Sequence, residues 1–203
     1  MNLTNPDKSA ILERIQALDK VVIELGCGSS KIQPGAIGID MVDLPGVDIV
    51  CNLEEGLPFL PDECADIVYS SHFLEHLSDL HLVMSESFRI LKKGGVMKGR
   101  VPHFSNPYFY SDYTHKTSFG LYSFCYFSKQ TPFKRGVPTF YNSVNFKIIR
   151  IKLVFYSPFL IRNIFRKILT WVFNSSRFMQ EWYEEGFCYL FPAYEMEFEL
   201  EKL

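Results

Sequence analysis

The sequence contains no C-x-x-C pair, and its five cysteines (Cys27, Cys51, Cys64, Cys125 and Cys188) are scattered and odd in number. That argues against a thiolate zinc site and against a disulfide framework, so a reducing, cytoplasmic setting is expected. Neither sign of charge is in excess: 21 Lys plus Arg face 23 Asp plus Glu, a formal net charge of −2. Electrostatics give no reason to expect a phosphate-backbone partner, and no nucleic acid is expected. No run of about 18 uncharged apolar residues occurs, and the start, MNLTNPDKSAILERI, lacks the basic and apolar regions of a signal peptide. There is no internal repeat and no low-complexity segment. What is plentiful is aromatic character, 16% of the chain and concentrated after residue 103.

The 203 residues suffice for one domain with a full core, so a single domain over 1–203 is expected. After a short helix at about 7–18, the first half alternates short apolar strands with helical or loop segments, the pattern of a parallel sheet flanked by helices. The strands expected are VVIEL (21–25), AIGID (36–40), VDIVCN (47–52), ADIVYSS (65–71) and VMKGRVP (96–102). Residues 73–91 keep near-helical apolar spacing with a break around Ser78, and Lys92-Lys-Gly-Gly95 supplies a stop. Residues 103–130 predict a long loop with short helical turns. Two further strands, 146–156 and 193–203, flank an amphipathic helix at 158–174, and the last strand is expected to be antiparallel.

His72-Phe-Leu-Glu75-His76 has the H-x-x-E-H spacing of one class of zinc hydrolase. Two histidines four apart on a helix share a face, so ligation is geometrically open. No third ligand stands at a recognisable spacing, and the motif begins where a strand has just ended. A metal is therefore not expected, although a zinc hydrolase is one alternative to carry forward. Glu75 and His76 are assigned structural work.

Glu24-Leu-Gly26-Cys27-Gly28 sits at the carboxyl end of the first strand, where a doubly wound sheet places its ligand crevice. Asp40, ending the second strand, is placed to accept hydrogen bonds from ribose hydroxyls. A dinucleotide fingerprint would need a third glycine where Lys31 stands, and an acid further along than Asp40.

The segments VVIELGCGSSKI, GAIGIDM, CNLEEGLPF, ADIVYSSHFLEHL and RILKKGGVMKGRVP, taken in order, resemble the class I S-adenosylmethionine-dependent methyltransferases, particularly the small type 11-like group. The resemblance spans about residues 20–105. It implies a doubly wound, mostly parallel seven-stranded α/β sheet of Rossmann-like type with an antiparallel last strand. It implies S-adenosyl-L-methionine as cofactor, with Glu24, Gly26, Cys27 and Gly28 beside its methionine part and Asp40 on the ribose. Met41 would flank the adenine, Asn52 and Leu53 would lie at its edge, and Ser71 and His72 would line the cofactor. Only about ten residues separate the first two strands, near the minimum for a parallel crossover. The first helix must then be a single turn or absent, and methionine binding would lean on loop amides and Lys31.

Residues 20–105 then form the cofactor-binding core, 103–145 the acceptor-side loops and 157–190 a helical insertion before the last strand. His103, Asp112 and His115, set among aromatics after the fifth strand, are the candidate catalytic groups, since a hydroxyl nucleophile can need a base. That mixture suits a polar ring such as a sugar. The ending FCYLFPAYEMEFELE resembles small methyltransferases of bacterial surface-polysaccharide synthesis, which implies O-methylation of a glycan or another small polar acceptor. A non-catalytic nucleoside-binding module is the other alternative. On 158–174 a polar stripe (Arg162, Asn163, Arg166, Lys167, Thr170, Asn174) opposes an apolar face (Leu160, Ile161, Ile164, Phe165, Ile168, Leu169, Trp171). Three roles are open to this helix: a lid over the site, a homodimer contact, or peripheral contact with a membrane surface.

Overall fold

The computed structural model describes residues 8–141 and 143–203. Residue 7, where the first helix was expected to begin, lies outside them. The chain forms one seven-stranded sheet in the order β3-β2-β1-β4-β5-β7-β6. Its strands are β1 (Val22–Leu25), β2 (Ile37–Asp40), β3 (Ile49–Val50), β4 (Ala65–Ser71), β5 (Leu91–Pro102), β6 (Phe146–Val154) and β7 (Glu195–Lys202). β3, β2, β1, β4 and β5 run parallel, while β7 is antiparallel to both β5 and β6. The helices are α1 (Lys8–Gln16), α2 (Leu80–Ile90), α3 (Leu160–Phe173) and α4 (Arg177–Gly186).

The central strands are covered on both faces, which is why they read as continuous apolar runs rather than alternating ones. Ile23, Leu25, Ile37, Ile39 and Val68 are essentially inaccessible to solvent. β7 alternates instead: Met196, Phe198 and Leu200 point into the core, while Glu197 and Glu201 pair across the strand with Lys152 (2.9 Å) and Lys147 (3.1 Å). In β6 a register shift between Ile148 and Arg150 lets both Ile148 and Ile151 face inward.

The expected helix at 73–91 is divided, as its break at Ser78 anticipates. Leu74–His76 forms a 3-10 turn, and α2 starts afresh at Asp79, whose carboxylate caps it by accepting from Leu82 N–H (2.9 Å). Burial of Val83, Met84 and Ile90 on its inner face stabilises the packing by about 1.5–3 kcal/mol per side chain. The Lys92-Lys-Gly-Gly95 stretch, expected to stop the helix, belongs to β5: Leu91 pairs with Ala65, and a register shift before Ile67 absorbs the difference. Between β1 and β2 there are only turns and no helix, in line with the short crossover. The loop after β5 carries two 3-10 turns, Phe109–Ser111 and Ser123–Phe127, as expected of residues 103–130. α4 was not resolved as a separate helix in the sequence. Its start is a Ser176 side chain accepting from Met179 N–H (3.2 Å).

α3 reverses the usual amphipathic arrangement. Asn163, Arg166, Thr170 and Asn174 of its polar stripe turn toward the body of the protein, Arg162 and Lys167 are exposed, and the apolar arc faces outward, with only Leu169 and Phe173 buried in the core.

Candidate functional site

The carboxyl ends of β1, β2, β4 and β5 meet at one edge of the sheet, and the loops leaving them build a crevice from backbone outward. Gly26 and Gly28 have φ of +63° and +58°, a region where side chains are strained. A Cβ on Gly26 would lie 2.3 Å from Cγ of Phe73, so this glycine is required by packing inside the protein. A Cβ on Gly28 would meet nothing within 4 Å, so this backbone borders open space and is accessible to a ligand.

Asp40 fixes that loop. Its Oδ2 accepts from Gly28 N–H (2.9 Å) and its Oδ1 from Val42 N–H (3.1 Å). Each carboxylate oxygen keeps lone-pair capacity for a hydroxyl donor such as a ribose. Glu24, almost fully buried, substitutes for the missing crossover helix: its two oxygens accept from Ile32 N–H and Gln33 N–H, both at 2.8 Å. Its carboxylate therefore braces the loop. Lys31, expected to assist methionine binding, is instead held by Asp48 at 2.6 Å. Burial, then the nearby Asp40 and Glu24 charges, push the Cys27 thiol up to about 11. It is a neutral packing group and no nucleophile at neutral pH.

Met41 is 59% exposed beside this loop. Asn52 caps the turn after β3, its Oδ1 accepting from Glu54 N–H (3.1 Å) and its Nδ2 donating to Glu55 (3.1 Å). The Leu53 side chain lies in the core, which leaves only its backbone at the crevice edge.

His72 follows Ser71 at the end of β4 with φ of +52°, a strained setting for a residue with a side chain. It stands outside the 3-10 turn that carries His76, so the two histidines of the H-x-x-E-H spacing do not share a helical face. His72 Nε2 lies 2.9 Å from Glu195 Oε2 and Nδ1 lies 3.4 Å from Glu75 Oε1. The hydrogen bonds to Glu195 and then Glu75 raise its pKa to about 9, so it is an imidazolium at neutral pH. Glu195 also lies 3.9 Å from Arg100.

Asp112 and His115 join this edge, 3.6 Å apart. Thr114 O–H donates to Asp112 Oδ1 (2.6 Å), so the Thr114 oxygen accepts from His76 Nδ1–H (2.9 Å). His115 Nδ1–H donates to the Phe109 carbonyl (2.8 Å), and the ring stacks on Phe109. Glu75, His76 and His115 each offer one ligand atom within 4.8 Å of the others, the group of described residues whose geometry could surround a metal ion. His115 supplies the third ligand that local spacing could not reveal. Glu75 Oε1, however, already faces the His72 imidazolium at 3.4 Å, while its Oε2 is buried without a hydrogen-bond partner among the described residues.

His103 is not part of this group. It is completely buried, with Ser105 N–H donating to its Nδ1 (3.1 Å) and its Nε2–H donating to Glu184 (3.3 Å). Its partner Glu184 lines a cavity of about 750 Å³ with Phe104, Tyr122, Arg135, Glu181 and Trp182. Neither Glu184 nor Glu195 carries a local sequence signal: one sits in α4, which periodicity does not separate from α3, and the other reads as a solvated strand residue.

A family model described as a methyltransferase domain matches residues 31–98. No curated protein matches the sequence. Among solved structures, a SAM-dependent methyltransferase from Archaeoglobus fulgidus aligns with a TM-score of 0.60 and 19% identity, covering 96% of this chain and 92% of that one. Geranyl diphosphate C-methyltransferase from Streptomyces coelicolor, solved with Mg2+, geranyl diphosphate and S-adenosyl-L-homocysteine, aligns with a TM-score of 0.54 and 13% identity, covering 97% and 78%. The chain thus has the class I methyltransferase fold, and that fold, the domain match and the open glycine loop together support an S-adenosylmethionine-dependent methyltransferase.

Proposed function

We propose that this protein transfers the methyl group of S-adenosylmethionine to an oxygen of a saccharide. The observation that carries the saccharide is the 750 Å³ cavity, where the aromatic walls of Phe104, Tyr122 and Trp182 stand beside Glu181, Glu184 and Arg135. Aromatic faces cover the C–H surface of a sugar ring while carboxylates and a guanidinium hydrogen-bond its hydroxyls.

The bound cofactor would supply an electrophilic methyl on a sulfonium. The chain's work is to hold that group against the Gly26–Gly28 backbone and Asp40, and to align the acceptor oxygen with it. Asp112 and His115 are the groups assigned to receive the acceptor's proton. His103, sealed behind Glu184, is a positioning residue that sets the orientation of that carboxylate.

The test is S-adenosylhomocysteine release over a panel of sugars and sugar nucleotides, beside calorimetry of cofactor binding. The expected result is turnover on a saccharide, with Glu184→Gln and Asp112→Ala lowering kcat but leaving cofactor affinity intact. Asp40→Ala should weaken cofactor binding. A folded protein that binds neither S-adenosylmethionine nor S-adenosylhomocysteine refutes the enzyme. Binding with no turnover on any sugar refutes the acceptor class and favours a nucleoside-binding module.

A further inference from the structure

The apolar arc of α3 faces away from the protein. Leu160, Ile161, Ile164, Phe165, Ile168 and Trp171 lie within about 140° of one another on the helix, and each is between 49 and 84% exposed. The opposite side bonds to the body of the protein. Asn163 accepts from Ser157 N–H (3.3 Å), Thr170 from Phe155 N–H (3.1 Å) and Asn174 from Leu153 N–H (2.8 Å), while Arg166 donates to the Pro192 carbonyl. A helix covering its own core places its apolar side inward. Here the sequence has committed the polar side to internal contacts, and the apolar side is left for something else.

Charge identifies that partner. The helix holds Arg162, Arg166 and Lys167 and no carboxylate, in a protein whose net charge is −2. Arg162 and Lys167 are both exposed and stand at the two borders of the apolar arc, one on each side. Long cationic side chains in those positions extend to a phosphate layer while the residues between them enter the acyl boundary. Two copies of this face packed together would gather Arg162 and Lys167 of each at one interface, four cations with no acid in the helix to answer them.

We propose that α3 lies flat on an anionic lipid surface, its arc immersed at the headgroup boundary with Arg162 and Lys167 on lipid phosphates. Among the described residues no helix is long and apolar enough to cross a membrane, so the contact proposed for α3 is peripheral. Arg166 ties α3 to Pro192, and the next residue, Ala193, donates to Ser105 and Tyr183 beside His103. Docking would hold that wall of the molecule at the membrane, which suits an acceptor saccharide carried on a lipid. That last consequence rests on the saccharide reading, whereas the docking does not.

The test is flotation of the full chain with vesicles of phosphatidylcholine alone and of phosphatidylcholine mixed with phosphatidylglycerol. The protein should float with the anionic vesicles only, and less so at high salt. In Trp182→Phe, which leaves Trp171 as the sole tryptophan, emission should shift to the blue on adding those vesicles. The double substitution Ile161→Glu, Ile164→Glu alters exposed positions, should leave the melting temperature unchanged, and should weaken vesicle binding on the order of a hundredfold. Failure of the parent protein to float with anionic vesicles overturns the proposal. So does undiminished binding by the double variant, or a dimer that this variant dissociates in the absence of any vesicle binding. Vesicle binding is read without acceptor or turnover, so its failure is distinct from failure of the saccharide reading.

Discussion

Replacing His72 with asparagine removes an imidazolium while keeping a residue type that tolerates the left-handed backbone at φ +52°. The pKa of His72 rises from 6.5 to about 9 through Glu195 and Glu75, nominally worth about 3 kcal/mol. The ring is 44% exposed, so solvent screening reduces this to about 1 kcal/mol. Because the folded value is raised, the contribution is complete below the unfolded value of 6.5 and disappears as pH climbs through about 9. His72→Asn should therefore cost about 1 kcal/mol near pH 6 and almost nothing near pH 10, where lysine and tyrosine titrations are common to both proteins and cancel. Urea unfolding of both proteins at those two pH values, with m compared to confirm the same transition, measures the difference. A penalty that stays constant or grows with pH would show that the folded protein does not hold His72 as a cation.

The two glycines of the loop should separate stability from binding. Gly26→Ala drives a Cβ into Phe73 and should cost about 3 kcal/mol in thermal or urea melts. Gly28→Ala meets open space and should cost about 1 kcal/mol, yet lower S-adenosylhomocysteine affinity in calorimetry more than that cost explains. Chelation with EDTA should leave methyl transfer unchanged, since Glu75 already faces an imidazolium. A loss of activity restored by zinc would instead make Glu75, His76 and His115 a metal centre.

The parallel half of the sheet was legible because strands buried on both faces must be apolar throughout, and VVIEL and ADIVYSS announce that condition locally. The break around Ser78 was read from the sequence, and Asp79 caps the helix that restarts there. β5 begins five residues earlier than its apolar run, because pairing with Ala65 recruits Leu91 and the lysines beside it, a tertiary demand with no local signal. The glycine loop and Asp40 could be found because they serve backbone geometry close in sequence. His103 could not be judged in this way. Its burial and its bond to Glu184 depend on a helix 81 residues further along. The orientation of α3 is the clearest instance: periodicity establishes two faces but does not say which one the protein keeps for itself.

The position of β7 bears on how the molecule is made. It lies between β5 and β6 but follows both in the chain, so during synthesis those strands exist with open edges until residues 195–202 emerge. An early β5–β6 pairing would close the gap that β7 must fill, and unpaired edges invite association with other chains. Closure of the sheet therefore waits on β7, and a chaperone that shields one open edge would matter most for this segment.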